Sequence, residues 1–307
     1  MSKLGTFWGI GVGPGPAGYI PLAAVEALRM ADIVFAPRAT TSENSVALQC
    51  LEGIAIAPER IREIEFHMDT DRSVLSDHYA QLAETIAIEL RAGLNVAYLT
   101  IGDTLTYSTY GYVLAALQEL LPTLPQRTFP GITSYAAAAA AMSWPLGEGK
   151  ERTLILPCPE EAASLRRDIE THDIIVLMKI GKRLPWVLNL LRDMGIAKHC
   201  AFARRIGLED EMLSTDVSGL NATEAMGYLS TLLIRKDPRE KRHSRQAILP
   251  DALRVNANLL QADLSHQAIL PDALQVNANL LQADLSRQAI LPDVLRVNAN
   301  LLQADLS

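Results

Sequence analysis

The sequence predicts an α/β fold, in which short apolar strands alternate with amphipathic helices. Two stretches carry this prediction. The run Thr6 to Val12 is typical of a strand, and it leads into a turn of glycines and prolines at residues 13–16 and then a helix-like segment. The apolar run Val96 to Leu99 is typical of a buried strand, and it stops at Gly102-Asp103. Open α/β sheets bind ligands at the carboxyl ends of their strands, so this second stretch is the predicted centre of a site.

Composition and charge narrow the class of protein. The chain has 307 residues, 49% hydrophobic and 21% charged, as in a soluble protein with room for two modest domains. A net charge of -7 and a pI near 5.4 argue against a general nucleic-acid binder, which needs a basic face. The cysteine and histidine spacing predicts neither disulfides nor a metal site. No apolar run reaches the ~18 residues of a membrane span, so we expect a cytoplasmic protein that does not contact a membrane.

The first half of the chain predicts a βαβ arrangement. The two prolines in the turn at residues 13–16 remove backbone donors that a phosphate cradle would use, and no Walker lysine follows them. This turn therefore favours close approach to an uncharged part of a ligand. Strands are expected at Thr6–Val12, Asp32–Ala36, Val96–Leu99 and Gln126–Phe129, and helices at Ile20–Ala31, within His67–Arg91 after a charged linker, and at Gly111–Leu121.

The second half predicts another set of strands and helices. It opens with Pro130-Gly131-Ile132-Thr133-Ser134 and a helix, Tyr135 to Met142, which contains six consecutive alanines. We expect a first domain at residues 1–128 and a second at 129–243. Further strands are expected at Thr153–Leu156, Ile174–Met178, Cys200–Arg204 and Tyr228–Arg235, and helices at Pro159–Glu170 and Arg183–Gly195.

Polar side chains follow several of these strands. Asp103 ends the central strand, and the hydroxyls of residues 104–109 come directly after it. Thr133 and Ser134 would offer hydroxyls and amides at a helix N-terminus. An ordinary capped turn explains the first group equally well, and long cations at strand ends are commonly solvated. The cations at strand ends are Lys179, Arg204 and Arg205.

The C-terminal tail, residues 244–307, is different in kind. It contains three near-identical 21-residue copies, Ser244–Leu264, Ser265–Leu285 and Ser286–Leu306. The period equals three heptads, which allows a stacked helical array or an oligomerising tail. A partly disordered appendage is an equal alternative. We assign the tail no part in the chemistry.

Taken together, the motifs resemble those of the tetrapyrrole methylase family, the class III S-adenosylmethionine methyltransferases. The matching pieces span Lys3 to His243: the turn after the first strand, Gly102-Asp103 with Tyr107-Ser108-Thr109, the segment at residues 130–134 with its alanine helix, and Met178-Lys179. The family usually has Gly-Asp-Pro where this chain has Gly102-Asp103-Thr104. Within the family, the chain is similar to the branch that methylates C-20 of precorrin-2 or cobalt-factor II in corrin biosynthesis.

The resemblance implies two α/β domains with S-adenosylmethionine in the trough between them, a homodimer, a tetrapyrrole substrate and no metal held by the protein. It implies that backbone groups hold the cofactor. The cofactor positions carried over are Pro14, Ile101, Gly102, Asp103, Tyr107, Ser108, Thr133, Ser134, Met178 and Ala203.

Methylation of a meso carbon requires that the donor carbon be aligned with the acceptor carbon. It also requires a base that removes a proton from the acceptor carbon. Asp103 is the first candidate for that base, and an orienting role is an alternative. Lys179 is a candidate for stabilising charge or binding a carboxylate, and Tyr228 for a hydrogen bond to the substrate. Because the substrate bears many carboxylates, basic residues are candidate anchors. They are Arg38, Arg204 and Arg205, with Lys182 and Arg183 as further candidates.

Three rival functions remain at this point. One is another tetrapyrrole methylase, such as uroporphyrinogen III methyltransferase or a relative that acts on protein or RNA. A second is a dinucleotide-dependent oxidoreductase, but the second strand ends at Pro37-Arg38 without the acidic residue that binds the ribose. A third is a scaffold protein built on the repeats, which deletion of the tail would test.

Overall fold

The computed structural model describes residues 3–40, 44–66 and 72–239, which contain two five-stranded sheets. The predicted repeat tail lies outside the described residues, and so does the linker expected at residues 67–71. The two sheets follow one another along the chain, the first up to Phe129 and the second from Thr153. The predicted boundary after residue 128 falls at the end of the first sheet.

The first sheet is parallel throughout, with strand order β3-β2-β4-β1-β5. Its strands are β1 (Phe7–Gly11), β2 (Ile33–Ala39), β3 (Ile61–Phe66), β4 (Val96–Thr100) and β5 (Gln126–Phe129). Its helices are α1 (Leu22–Met30), α2 (Val46–Gln49), α3 (Arg72–Arg91) and α4 (Tyr110–Leu120), with 3-10 turns at Ala17–Tyr19 and Pro58–Arg60.

The central strand β4 is buried on both faces, as its uninterrupted apolar sequence predicts. Ala97 and Leu99 belong to a core that α1 covers through residues such as Leu28. Val96 and Tyr98 point into the opposite core, which α3 and α4 cover. Helices on both faces of a parallel sheet leave its carboxyl edge as the open side, and the loops after β1, β4 and β5 gather there.

The second sheet is mixed, with strand order β6-β7-β10-β8-β9. β6 runs parallel to β7, whereas the remaining neighbours are antiparallel. Its strands are β6 (Thr153–Pro157), β7 (Ile174–Met178), β8 (Ala201–Arg204), β9 (Met212–Ser214) and β10 (Ser230–Arg235). Its helices are α5 (Ser134–Ala141), α6 (Ala162–Thr171) and α7 (Leu184–Asp193), with 3-10 turns at Gly181–Arg183, Ala197–His199 and Glu224–Gly227.

The helices of this half also lie on both faces of their sheet. The alanine helix α5 packs one face against Val176, Ala201 and Leu233, because its small side chains allow a close approach. Leu165 of α6 and Leu191 of α7 pack in the core on the other face. The predicted α/β fold class is confirmed.

Three elements were missed by the sequence prediction: α2, β3 and β9. β3, with the sequence IREIEF, is a half-charged strand at the edge of the first sheet, and β9 is a three-residue edge strand of the second. Several predicted boundaries were also wrong. The second strand ends at Ala39 rather than Ala36, and α6 begins at Ala162 rather than Pro159. The last strand begins at Ser230 rather than Tyr228, because Leu229 has a φ of 51° and interrupts the extended backbone.

Candidate functional site

Three loops meet at the carboxyl edge of the first sheet, and glycines let them approach. Gly13 and Gly102 exchange two backbone hydrogen bonds, with N to O distances of 3.1 and 2.8 Å. Both have positive φ angles, 77° and 71°, which favour glycine. A Cβ on Gly11 would lie 2.5 Å from the backbone nitrogen of Gly131, closer than real atoms come. The loops after β1, β4 and β5 are therefore packed backbone against backbone.

The carboxylate of Asp103 ties two of these loops together. Its Oδ1 accepts a hydrogen bond from the Gly131 amide at 3.1 Å. Its Oδ2 accepts from the Leu105 amide at 3.0 Å and from the Thr106 hydroxyl at 2.9 Å. Both oxygens thus already accept hydrogen bonds within the loops, an arrangement that suits an orienting residue. The role of Asp103 as a base stays a prediction.

Thr104 stands where the family usually has proline, and the structure gives its hydroxyl a partner. The side chain is only 1% exposed, and its hydroxyl donates to the Phe129 carbonyl at 3.2 Å. The hydroxyl of Ser108 donates in turn to the Thr104 carbonyl. A hydrogen bond to the end of β5 therefore fixes this loop where a proline ring would otherwise restrict it.

Tyr107 links the same loop to the second sheet. Its backbone is left-handed, with a φ of 53°, and its side chain is 42% exposed. The phenol hydroxyl donates to the Ile155 carbonyl of β6 at 3.0 Å. The loop after β4 is thus in direct contact with strand β6 of the second half of the chain.

The N-terminus of α5 contributes two hydroxyls. The Thr133 oxygen caps the helix by accepting from the Ala136 amide at 3.4 Å, which leaves its own proton available to a ligand. The Ser134 and Thr231 hydroxyls are 3.0 Å apart and hydrogen-bonded, so Ser134 also joins α5 to β10.

Thr100 is a polar residue that the sequence prediction missed. It ends β4, is 9% exposed, and its hydroxyl has no hydrogen-bond partner among the described residues. A buried hydroxyl without a partner is costly, which makes Thr100 a further candidate for a ligand contact at the edge. The neighbouring predicted residues Pro14 and Ile101 are buried and half-buried. The position of Thr100 at the end of a wholly apolar run was the signal in the sequence.

At the end of β7, Met178 is half-buried and Lys179 is exposed with a φ of 52°. Partial loss of water around the Lys179 ammonium lowers its pKa below the usual range. Tyr228, before β10, is half-buried. Ala203 is only 2% exposed and packs with α5, so its proposed cofactor contact stays a prediction.

The predicted arginine anchors differ in their surroundings. Arg38 forms ion pairs with Glu63, at 3.2 Å, and with Glu65. The Nε of Arg205 lies 3.6 Å from Asp210 Oδ2 and forms an ion pair with it, whereas the buried Nε of Arg204 has no hydrogen-bond partner among the described residues. Of these two adjacent arginines at the end of β8, Arg204 is therefore the one with an unpaired donor.

No grouping of His, Cys, Asp and Glu side chains that could hold a metal ion occurs in the part of the chain that the structure describes. Within the same residues, every helix is too short or too polar to cross a membrane.

Comparisons with known proteins identify relatives along most of the chain. A protein of Salmonella typhimurium (strain LT2) named cobalt-precorrin-2 C(20)-methyltransferase is 26% identical over 76% of this chain and 97% of its own length. A probable cobalt-precorrin-2 C(20)-methyltransferase of Methanocaldococcus jannaschii is 29% identical over 75% of this chain and 95% of its own length. A precorrin-2 C(20)-methyltransferase of Sinorhizobium is 27% identical over 75% of this chain and 95% of its own length.

Solved structures share the fold. The cobalt precorrin-4 methyltransferase CbiF superposes with a TM-score of 0.56 at 20% identity, over 76% of this chain and 96% of CbiF. A uroporphyrin-III C-methyltransferase of Thermus thermophilus, solved with S-adenosylhomocysteine, has a TM-score of 0.51 at 17% identity, over 76% of this chain and 98% of its own. Residues 6–219 match the family described as Tetrapyrrole (Corrin/Porphyrin) Methylases. The predicted family is confirmed, and this chain belongs to the tetrapyrrole methylases.

Proposed function

We propose that this chain transfers a methyl group from S-adenosylmethionine to C-20 of precorrin-2, or of its cobalt form, in cobalamin biosynthesis. The observation that carries the proposal is family membership together with three relatives named for this reaction, each matched over about three quarters of the chain. The relatives are named for both the cobalt-containing and the metal-free substrate, so a test must offer both.

The residues at the edge of the first sheet fit the proposed cofactor. They offer the buried hydroxyl of Thr100, which has no partner among the described residues, and the spare proton of Thr133. Such neutral groups suit the hydroxyls and amine of an adenosine better than a chain of phosphates. When bound, S-adenosylmethionine supplies the methyl group as an electrophilic carbon. Pro14, Ile101, Tyr107, Ser108, Ser134, Met178 and Ala203 complete the proposed cofactor positions.

For the proton removed from the acceptor carbon, we propose Lys179 as the base and Asp103 as an orienting residue. Asp103 already accepts hydrogen bonds at both oxygens, which suits an orienting residue. Lys179 projects from a strand end, and desolvation lowers its pKa, which brings the neutral amine closer to physiological pH. Tyr228 is proposed to hydrogen-bond the substrate.

Among the proposed anchors for substrate carboxylates, Arg204 is the best supported. Its buried Nε has no hydrogen-bond partner among the described residues, and a guanidinium binds a carboxylate through two parallel hydrogen bonds. The Nε of Arg205 already has an anionic partner, Asp210, at 3.6 Å. Arg38 is already balanced by two glutamates, so its proposed role is weaker.

The test is an anaerobic methylation assay with S-adenosylmethionine, offering precorrin-2, cobalt-factor II and uroporphyrinogen III in parallel. We expect C-20 methylation of one of the first two. Turnover of uroporphyrinogen III alone would replace the proposal with the alternative function. If no substrate is methylated while S-adenosylhomocysteine still binds in calorimetry, the acceptor is wrong and the cofactor proposal stands.

We also propose a cytoplasmic homodimer, as the family resemblance implies. Light scattering of the purified full chain checks the assembly, with a mass near twice the 33.5 kDa of one chain expected.

A further inference from the structure

We propose that Tyr107 is a positioning residue, a latch that fixes the loop after β4 against β6 and so sets the spacing between the two sides of the site. The kinetic part of this inference rests on the proposed function. The structural part does not, because it concerns one hydrogen bond between two described segments of the chain, from the Tyr107 hydroxyl to the Ile155 carbonyl at 3.0 Å.

The acceptor strand favours such a contact. β6 lies at the edge of the second sheet and pairs there with β7. An edge strand presents backbone groups that need partners other than a neighbouring strand. The phenol supplies a donor to this strand from a residue 48 positions earlier in the chain.

The conformation of Tyr107 indicates that its position has a function. A positive φ costs an aromatic residue energy, and here φ is 53°. Burial does not offset this cost, because the side chain is 42% exposed. The side-chain hydrogen bonds of Asp103, Thr104 and Ser108 stay within the first sheet and its loops, whereas that of Tyr107 reaches the second sheet.

The latch connects the two proposed halves of the site. Its loop begins at Asp103, beside the proposed cofactor edge. Its acceptor strand is paired in register with β7, with Pro157 opposite Met178, and Lys179 follows directly. Holding the loop on β6 therefore limits the distance between the cofactor edge and the proposed base. Methyl transfer depends steeply on such alignment.

The test compares Tyr107→Phe with Tyr112→Phe in the full chain. Tyr112 lies in α4, is 63% exposed and stacks on Tyr79 at 5.1 Å, so it is a matched loss of one hydroxyl. Hydrogen exchange is measured on peptides covering residues 103–109 and 153–157. We expect about tenfold faster exchange in the first segment for Tyr107→Phe. We also expect about a tenfold lower kcat/KM, mainly through kcat, with less than twofold changes for Tyr112→Phe.

Wild-type exchange in Tyr107→Phe would overturn the latch, whatever the kinetics. Faster exchange with unchanged kcat would overturn its positioning role. If the wild-type chain methylates none of the offered tetrapyrroles, the proposed function fails, while the exchange comparison still decides whether Tyr107 holds the loop.

Discussion

The two sheets differ in which residues take the left-handed conformation directly at their strand ends. In the first sheet, the turns with positive φ at Gly13 and Gly102 are glycines, and backbone packs on backbone. In the second sheet, corresponding strand ends at Lys179, Arg205 and Leu229 adopt positive φ with full side chains. The left-handed conformation costs a residue with a Cβ roughly 1–2 kcal/mol. At these strand ends the chain uses glycine where backbones approach and accepts strain where a side chain projects. Tyr107, with a φ of 53°, adds one strained side chain to the loop after β4.

This contrast fits the different roles proposed for the two edges. A surface of backbone groups and small hydroxyls holds a ligand without depending on charge, as proposed for the cofactor at the first edge. Side chains such as Lys179 and Arg205 supply charge and a titratable group, as proposed for the chemistry and the substrate at the second edge. Substitutions that add a Cβ should therefore harm the first edge, and substitutions that remove a functional group should harm the second.

The largest expected effect follows Gly11→Ala. The added Cβ would lie 2.5 Å from the Gly131 nitrogen, and backbone atoms on both sides cannot move away. We expect the free energy of unfolding to fall by about 3 kcal/mol, measured by urea denaturation. Gly111→Ala, in α4 and with open space around its Cβ position, is the control. It should be neutral or stabilise by up to about 1 kcal/mol. Equal effects of the two changes would refute close packing at the first edge.

At the second edge, Lys179→Met should impair catalysis with little effect on folding, because the side chain is exposed. Loss of a general base costs about 100-fold in kcat. The base form is neutral, so wild-type kcat should rise with pH through the lowered pKa of Lys179, and this rise should disappear in the variant. A pH series of kcat measures both effects.

Lys198→Met, an exposed lysine on the 3-10 turn before β8, is the matched control and should behave as wild type. If Lys179→Met keeps the wild-type pH profile and only raises the KM of the tetrapyrrole, Lys179 binds a carboxylate and another group is the base.

The first edge was largely predictable from the sequence because its signals are local. Val96 to Leu99 form an unbroken apolar run, and Gly13 and Gly102 mark the turns that follow the strands. The edge strands β3 and β9 were missed because neither contains an apolar run: half of the residues of β3 are charged, and β9 has only three residues.

Contacts between distant residues were not predictable. The Ser134 and Thr231 hydroxyls lie 97 positions apart in the chain, and no sequence pattern links them. The lack of a hydrogen-bond partner for the Thr100 hydroxyl among the described residues and the ion pair of Arg38 with Glu63 also depend on tertiary packing. The identities of the site residues could thus be proposed from motifs, but which of them have free hydrogen-bonding groups required the fold.

The smallest expected effect concerns the buried hydrogen bond of Thr104 in the loop after β4. Thr104→Val keeps the shape of the side chain and removes the hydroxyl that donates to the Phe129 carbonyl. Because Thr104 is 1% exposed, that carbonyl loses a buried donor, and we expect a loss of about 1 kcal/mol in urea denaturation. Thr106→Val is the control in the same loop. Its half-buried hydroxyl shares Asp103 Oδ2 with the Leu105 amide, so about 0.5 kcal/mol is expected. A Thr104→Val protein as stable as wild type would show that its hydrogen bond does not fix the loop, and the tie through Asp103 would then be sufficient.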